Sequence, residues 1–172
     1  MHKKKFSWRP IINCQNSPTE KICKLIDYIL KPIVTNTETY IKDSQNLIQK
    51  TENICFEKKP FLYSLDFESL YSNILPEHAI NLITNFLIGK INNDNIDILA
   101  INKFLKLIFN NNIFTCNKKY YKQNKGLAMG CACGPSVANL YIYILEKKWI
   151  TIHKPLIYYR FIDDIKNDKI YK

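Results

Sequence analysis

An apolar, aromatic run that ends in two adjacent carboxylates, Tyr158-Tyr159-Arg160-Phe161-Ile162-Asp163-Asp164, constrains this chain more than any other stretch. A run of that composition is expected to be buried, and burying acids is expensive unless a cation neutralises them. Divalent ions held by carboxylate and water oxygens are the usual solution. A surface turn is the competing reading, because Asp-Asp pairs are common at hairpin tips. A third acid shifts the balance. Asp66 lies near the end of Phe61-Leu62-Tyr63-Ser64-Leu65-Asp66-Phe67, a second aromatic and apolar run that follows Pro60 and predicts a short buried strand.

Around these runs the sequence spells helices and turns. Ser17-Pro18-Thr19-Glu20 has the form of a capping box with proline at the first helical position. Ile22, Leu25, Ile26, Ile29 and Leu30 follow at helical spacing until Pro32 is expected to stop the run. A shorter helix is predicted from Asp43 to Lys50, an amphipathic one from Pro76 to about Lys90, and another from Asn95 to about Asn111, with Gly89 and Asn92-Asn93-Asp94 separating the last two. Residues 113–122 predict a hairpin turning at Asn117-Lys118. A Gly-rich loop over 126–134 then leads into a helix begun by Pro135 and ending near Trp149, and 156–162 is the closing strand. With no internal repeat or clear linker, the whole chain is expected to be one α+β unit, a sheet with flanking helices.

A chain of 172 residues with 47% hydrophobic content can bury one sizeable core. Its 25 Lys plus Arg against 15 Asp plus Glu give a formal charge of +10, which points to polyanionic partners such as nucleic acid. The alternative is that Asn, Lys and Ile were enriched together by an AT-biased genome and the lysines merely solvate the surface. The 6 cysteines show no CxxC pair, which argues against a structural zinc site and predicts free thiols. No apolar segment follows Met1-His2-Lys3-Lys4-Lys5 and no stretch approaches ~18 apolar residues, so secretion and membrane spanning are not expected. An intracellular location, nuclear or cytoplasmic, is predicted.

The three acids sit at strand ends far apart in sequence, with helices between them long enough to bring the strands side by side. Adjacent strands would converge their carboxylates. Two divalent ions about 4 Å apart in such a cluster can activate a 3′-hydroxyl and stabilise a leaving pyrophosphate in an in-line phosphoryl transfer. Magnesium suits the task, since it keeps waters and takes only one or two carboxylates plus substrate phosphates.

Ordered motifs extend this reading. They are Trp8-Arg9-Pro10-Ile11-Ile12, the Asn16-Ser17-Pro18-Thr19 helix start, the stretch from Ser64-Leu65-Asp66-Phe67 through Tyr71-Ser72-Asn73-Ile74, Gly126-Leu127-Ala128-Met129-Gly130 with Pro135-Ser136-Val137-Ala138-Asn139-Leu140-Tyr141, and Arg160-Phe161-Ile162-Asp163-Asp164. In that order they resemble the motifs of reverse transcriptases and are most similar to the Penelope-like retroelement branch, over nearly the whole chain. The resemblance implies an α+β right-hand polymerase palm, an antiparallel sheet packed on helices, with part of the fingers in residues 1–60, a palm portion in 61–172 and the thumb absent. It implies Asp66 and Asp163 as principal ligands of two Mg2+ ions, for which Mn2+ can substitute, with the main-chain carbonyl of Phe67 assisting and Asp164 contributing more weakly.

The resemblance also places Tyr71 under the incoming sugar, where its ring excludes a 2′-hydroxyl; by itself such a tyrosine is more often core. Met129, where many reverse transcriptases carry glutamine, would stack beneath the template or nucleotide. Gly130 would let the backbone approach the nascent base pair without a Cβ in the way. Taken alone, a Gly-rich loop is weak evidence. Arg9 offers a fork for triphosphate oxygens, with Lys3, Lys4 and Lys5 as helpers or as a solvated tail. Lys118, Lys119, Lys122 and Lys125, interleaved with Tyr120 and Tyr121, would follow the template-primer backbone or simply solvate a hairpin.

The family leads one to expect an apolar strand after the double aspartate, and Lys166-Asn167-Asp168-Lys169 departs from it. Missing upstream sequence and a missing downstream GIY-YIG endonuclease are expected on the same grounds. The function implied is an RNA-directed DNA polymerase fragment that extends a DNA primer on an RNA template with deoxynucleoside triphosphates. A catalytically silent nucleic-acid-binding remnant is the alternative, and a metal-dependent nuclease using the same acids is a third reading.

Overall fold

The computed structural model describes residues 11–169 apart from 13, 57–58 and 92–95, and for 167–169 the backbone alone. Its elements run α1 (Glu20–Thr35), α2 (Ser44–Thr51), β1 (Phe61–Asp66), α3 (Leu70–Asn73), α4 (Pro76–Ile88), α5 (Ile98–Asn110), β2 (Ile113–Cys116), β3 (Lys119–Lys122), α6 (Gly134–His153), β4 (Tyr158–Phe161) and β5 (Asp164–Lys169). Among them no helix is long and apolar enough to cross a membrane.

The start of α1 uses the residues of the expected capping box differently. Glu20 accepts from the Asn16 N–H at 2.6 Å, while the Ser17 hydroxyl turns back to donate to the Cys14 carbonyl at 2.8 Å. The helix therefore begins after the 17–19 turn. It also runs through Pro32 to Thr35, against the expected stop. Proline removes one main-chain bond near the helix end, and the burial of Val34 in the core holds the last turn in place. Asp43 caps α2 by accepting from the Asn46 N–H at 2.8 Å. Asp97 accepts from the Leu99 N–H, so α5 starts at Ile98 rather than Asn95.

The core is helical. Cys23, Ile26 and Leu30 of α1, Ile83 and Leu87 of α4, Ile101, Leu105 and Ile108 of α5, and Val137 and Leu140 of α6 are buried together. Each large aliphatic side chain so buried contributes about 1.5–3 kcal/mol of transfer free energy. The long helix α6 packs against both α1 and α4, which fixes the loop before it and the strand after it.

The sheet lies at the rim of this core in the order β1-β5-β4, antiparallel throughout. Two expectations fail here. First, β1 is exposed along its whole length, with Leu62 at 67% and Leu65 at 51%, because it is an edge strand that none of the core helices covers. Second, the polar run 166–169 does form a strand, and it is the central one. Its backbone is paired on both sides, from Phe61↔Lys169 to Asp66↔Asp164 and from Tyr158↔Asn167 to Phe161↔Asp164. On an open face a polar side chain suits this position, and the Lys166 ammonium donates across the ladder to the Ser64 hydroxyl at 2.7 Å.

At the other edge of the sheet, the Arg160 N–H donates to the Thr39 carbonyl and its own carbonyl accepts from the Ile41 N–H, which ties the 39–41 segment to β4. A separate hairpin, β2–β3, turns at Asn117 and Lys118 as expected. Both take positive φ, 49° and 62°, as a two-residue type I′ turn requires. Phe114 and Tyr121 stack across it with centroids 5.6 Å apart.

Candidate active site

Asp66 is the last residue of β1 and the register partner of Asp164, the first residue of β5. Asp163 lies in the tight turn between β4 and β5, and its carbonyl accepts from the Phe67 N–H at 3.1 Å, which adds one rung beyond the named ladder. Asp66 thus meets the sequence-distant Asp163-Asp164 pair on neighbouring rungs at one end of the sheet. Asp66 and Asp164 are exposed and Asp163 is half-buried, so the expected burial of the acids is not found. The reason is the same as for β1: this end of the sheet opens to water.

The arrangement is electrostatically costly. Like charges directly opposite one another on an antiparallel pair destabilise it. Among the described residues the ion pairs are Lys24 with Glu20 and Arg160 with Glu146, and neither involves these acids. The carboxylate oxygens of the three do not all lie within 4.8 Å of one another. As hard oxygen donors without an ion-pair partner among the described residues, they suit a magnesium-class ion that keeps part of its water shell.

The turn that presents Asp163 is strained and braced. Ile162 takes φ 54°, a left-handed conformation that a β-branched residue rarely adopts. Its carbonyl accepts from the Arg160 guanidinium at 2.9 Å. That guanidinium is 2% exposed and also donates to Glu146 at 3.1 Å, to the Asn139 side chain at 2.7 Å and to the Asn139 carbonyl at 2.9 Å. Tyr158 completes the set by donating to Glu146 at 2.8 Å. Burial pushes the Glu146 carboxyl above its usual range, and Arg160 and Tyr158 pull it part of the way back. Burial, with the bond to Glu146, pushes the Tyr158 phenol up. This network of β4 with α6 is the part of the site that sequence reasoning missed. Its signal was one charge of each sign inside two otherwise apolar runs.

Tyr71 is half-buried in α3, and its carbonyl accepts from the Leu127 N–H at 2.7 Å. Its ring edge lies where a Cβ on Gly134 would meet it at 3.4 Å. Burial first, then the charge of Asp163, pushes the phenol above its ordinary pKa. The tyrosine therefore stands between the acids and the 126–134 loop. Gly126 takes φ +79°, and a Cβ there would sit 2.6 Å from the Tyr71 carbonyl oxygen. Gly126→Ala is expected to cost roughly 1–3 kcal/mol, since left-handed strain and a backbone clash combine. A urea denaturation midpoint measures it.

Gly130, at φ +100°, has its open side filled by the Ile12 carbonyl. The close approach found there is that of the chain's own 11–12 segment. Half-buried Met129 accepts from the Ile12 N–H at 2.8 Å. Lys118, Lys119, Lys122 and Lys125 are exposed on and after the β2–β3 hairpin. Lys122 and Lys125 line a cavity of about 580 Å³ with His78 and Phe109, and none of the acids lines it. Arg9, Lys3, Lys4 and Lys5 lie outside the described residues.

The comparisons with known proteins bear on the fold and the family. Telomerase from Candida albicans in complex with a TWJ fragment of telomeric RNA is similar at TM-score 0.61 and 10% identity, over 89% of this chain and 30% of that one. Telomerase from Candida tropicalis, truncated of its C-terminal domain, is similar at TM-score 0.56 and 14% identity, over 91% of this chain and 34% of that one. These likenesses show the fold, a mixed helical and antiparallel-sheet polymerase architecture, and the chain spans about a third of the length of those proteins. No curated protein matches in sequence. The family described as Reverse transcriptase (RNA-dependent DNA polymerase) matches residues 1–166. With nearly every residue inside that match and its fold that of a polymerase, the chain belongs to the reverse transcriptase family.

Proposed function

We propose that this chain is the fingers-and-palm part of an RNA-directed DNA polymerase of a Penelope-like retroelement, with residues 1–60 the fingers portion and 61–172 the palm portion. The observation that supports it is the meeting of Asp66, Asp163 and Asp164 on adjacent rungs without an ion-pair partner among the described residues. A fold that tolerates this repulsion gains something from it, and a bound cation is the simplest gain.

Reverse transcriptase domains use divalent metal ions. In this reading Asp66 and Asp163 would be the principal ligands of two Mg2+ ions, with the Phe67 carbonyl assisting and Asp164 contributing more weakly. Bound there, magnesium supplies Lewis acidity toward the primer 3′-hydroxyl and the leaving pyrophosphate. Tyr71 lies under the sugar of the incoming deoxynucleotide, Met129 stacks beneath the template or nucleotide, Gly130 lets the backbone approach the nascent base pair, and Arg9 takes the triphosphate. Lys118, Lys119, Lys122 and Lys125 follow the phosphate backbone of the RNA template and DNA primer. The RNA-bound state of the Candida albicans neighbour supports a nucleic-acid partner.

Extension of a labelled DNA primer on an RNA template, with deoxynucleotides and Mg2+, tests the reading. Products whose sequence copies the template support it. Cleavage of single strands without added nucleotide replaces it with a nuclease. Tyr71→Val is expected to keep primer extension and to raise ribonucleotide use relative to deoxynucleotide use by roughly 10²-fold, the discrimination available from rejecting one hydroxyl. The ratio of kcat/KM for the two nucleotides measures it.

A further inference from the structure

The six cysteines are free thiols, as expected, and three of them are gathered in one place. Cys23 in the first turns of α1 and Cys131 and Cys133 in the loop before α6 are all buried, and their sulfurs lie within 4.8 Å of one another. The Cys131 sulfur is 3.2 Å from that of Cys23 and 3.3 Å from that of Cys133. A fourth, Cys14, is also buried, and its thiol donates to the Ile12 carbonyl at 3.7 Å, so its sulfur stands outside the tight trio. The remaining two, Cys55 and Cys116, are exposed.

A buried cysteine by itself behaves as a small hydrophobe, and one or two in a core need no explanation. Three sulfurs converging from two chain segments, with a fourth buried cysteine on the adjoining 11–14 stretch, are a different matter, because thiols are weak donors and weak acceptors and gain little from one another. As a set they are the soft, tetrahedral ligand group that zinc prefers. With Zn–S near 2.3 Å, tetrahedral sulfurs stand about 3.8 Å apart, so the observed trio needs to open by only about half an ångström.

The surroundings favour negative charge. Cys133 is the N-cap of α6 and Cys23 lies in the N-terminal part of α1, so the positive ends of two long helices meet at the sulfurs. Sequence reasoning missed the group because its spacing, one C-x-C pair plus two distant residues, matches no common zinc signature.

We propose that Cys14, Cys23, Cys131 and Cys133 form a structural zinc-class site that clamps the 11–14 segment and α1 onto the loop carrying Met129 and Gly130. The clamp is next to the proposed nucleotide site but stands whether or not the acids catalyse. It explains why the 11–12 backbone lies against Gly130 so closely that a Cβ there has no room. Its role is to hold the loop, not to react.

Metal analysis and native mass spectrometry of the chain, purified under reducing conditions without chelators, test the site. One zinc per chain is expected, together with the thiolate charge-transfer and tetrahedral d–d bands of cobalt after exchange with Co2+. Cys131→Ser is expected to weaken zinc binding by about 100-fold or more, whereas Cys55→Ser leaves it unchanged. A folded wild-type chain, helical by circular dichroism, that retains no zinc and gives no cobalt bands overturns the proposal. So does a chain lighter by two hydrogens, which would reveal a disulfide in place of the metal.

Discussion

Asp163→Asn is expected to lower the single-turnover rate of primer extension by about 10³-fold or more, since in the proposed reading it removes a metal-holding carboxylate and forfeits several kcal/mol of transition-state stabilisation. Asp66→Asn should do the same, and Asp164→Asn should cost less. The stability of these variants moves the other way. Asp66 faces Asp164 across the ladder, so neutralising either relieves a like-charge contact and is expected to stabilise the fold by about 0.2–1 kcal/mol. A structural role for the acids predicts loss of stability instead. Paired measurement of extension rate and urea midpoint on the same three variants therefore separates the two roles.

Arg160→Met is expected to destabilise the chain by about 3–5 kcal/mol, because it leaves Glu146 as a buried carboxylate with only Tyr158 for company. That is a large part of the roughly 5–15 kcal/mol that holds a typical domain together. Adding Glu146→Leu removes the orphaned charge and is expected to recover most of the loss. Activity should not return with stability. The double variant still lacks the guanidinium that donates to the Ile162 carbonyl, so the strained turn presenting Asp163 is released. A urea titration and an extension assay on the single and double variants check both halves.

Much of this was legible in the residues. The Asn117-Lys118 hairpin, the short helix α2 and the apolar periodicities of α1, α4 and α5 are local features, set by turn chemistry and helical spacing, and they stand close to where the sequence puts them. The placement of Asp66 beside the double aspartate was also foreseeable, since two strand ends of matching composition need only pair. What failed was anything that depends on what covers an element. The composition of β1 is that of a buried strand, but no periodicity tells whether a helix layer lies over it. Polar β5 looked unfit for a sheet, yet pairing on both sides needs backbone and not apolar side chains. Pro32 sits inside α1 because burial of Val34 outweighs one missing bond. The cysteine cluster and the Arg160 network are tertiary meetings of residues that carry no spacing signal at all.

The central claim is that the ends of β1 and the β4–β5 turn share divalent ions. Paramagnetic broadening on titration of the isotope-labelled chain with Mn2+ tests it most directly, because the effect falls steeply with distance from the ion. The amide signals of residues 64–67 and 161–165 should vanish first, and in Asp66→Asn/Asp163→Asn they should persist at the same Mn2+ concentration. Broadening that starts elsewhere on the surface, or that is unchanged in the double variant, would contradict the account.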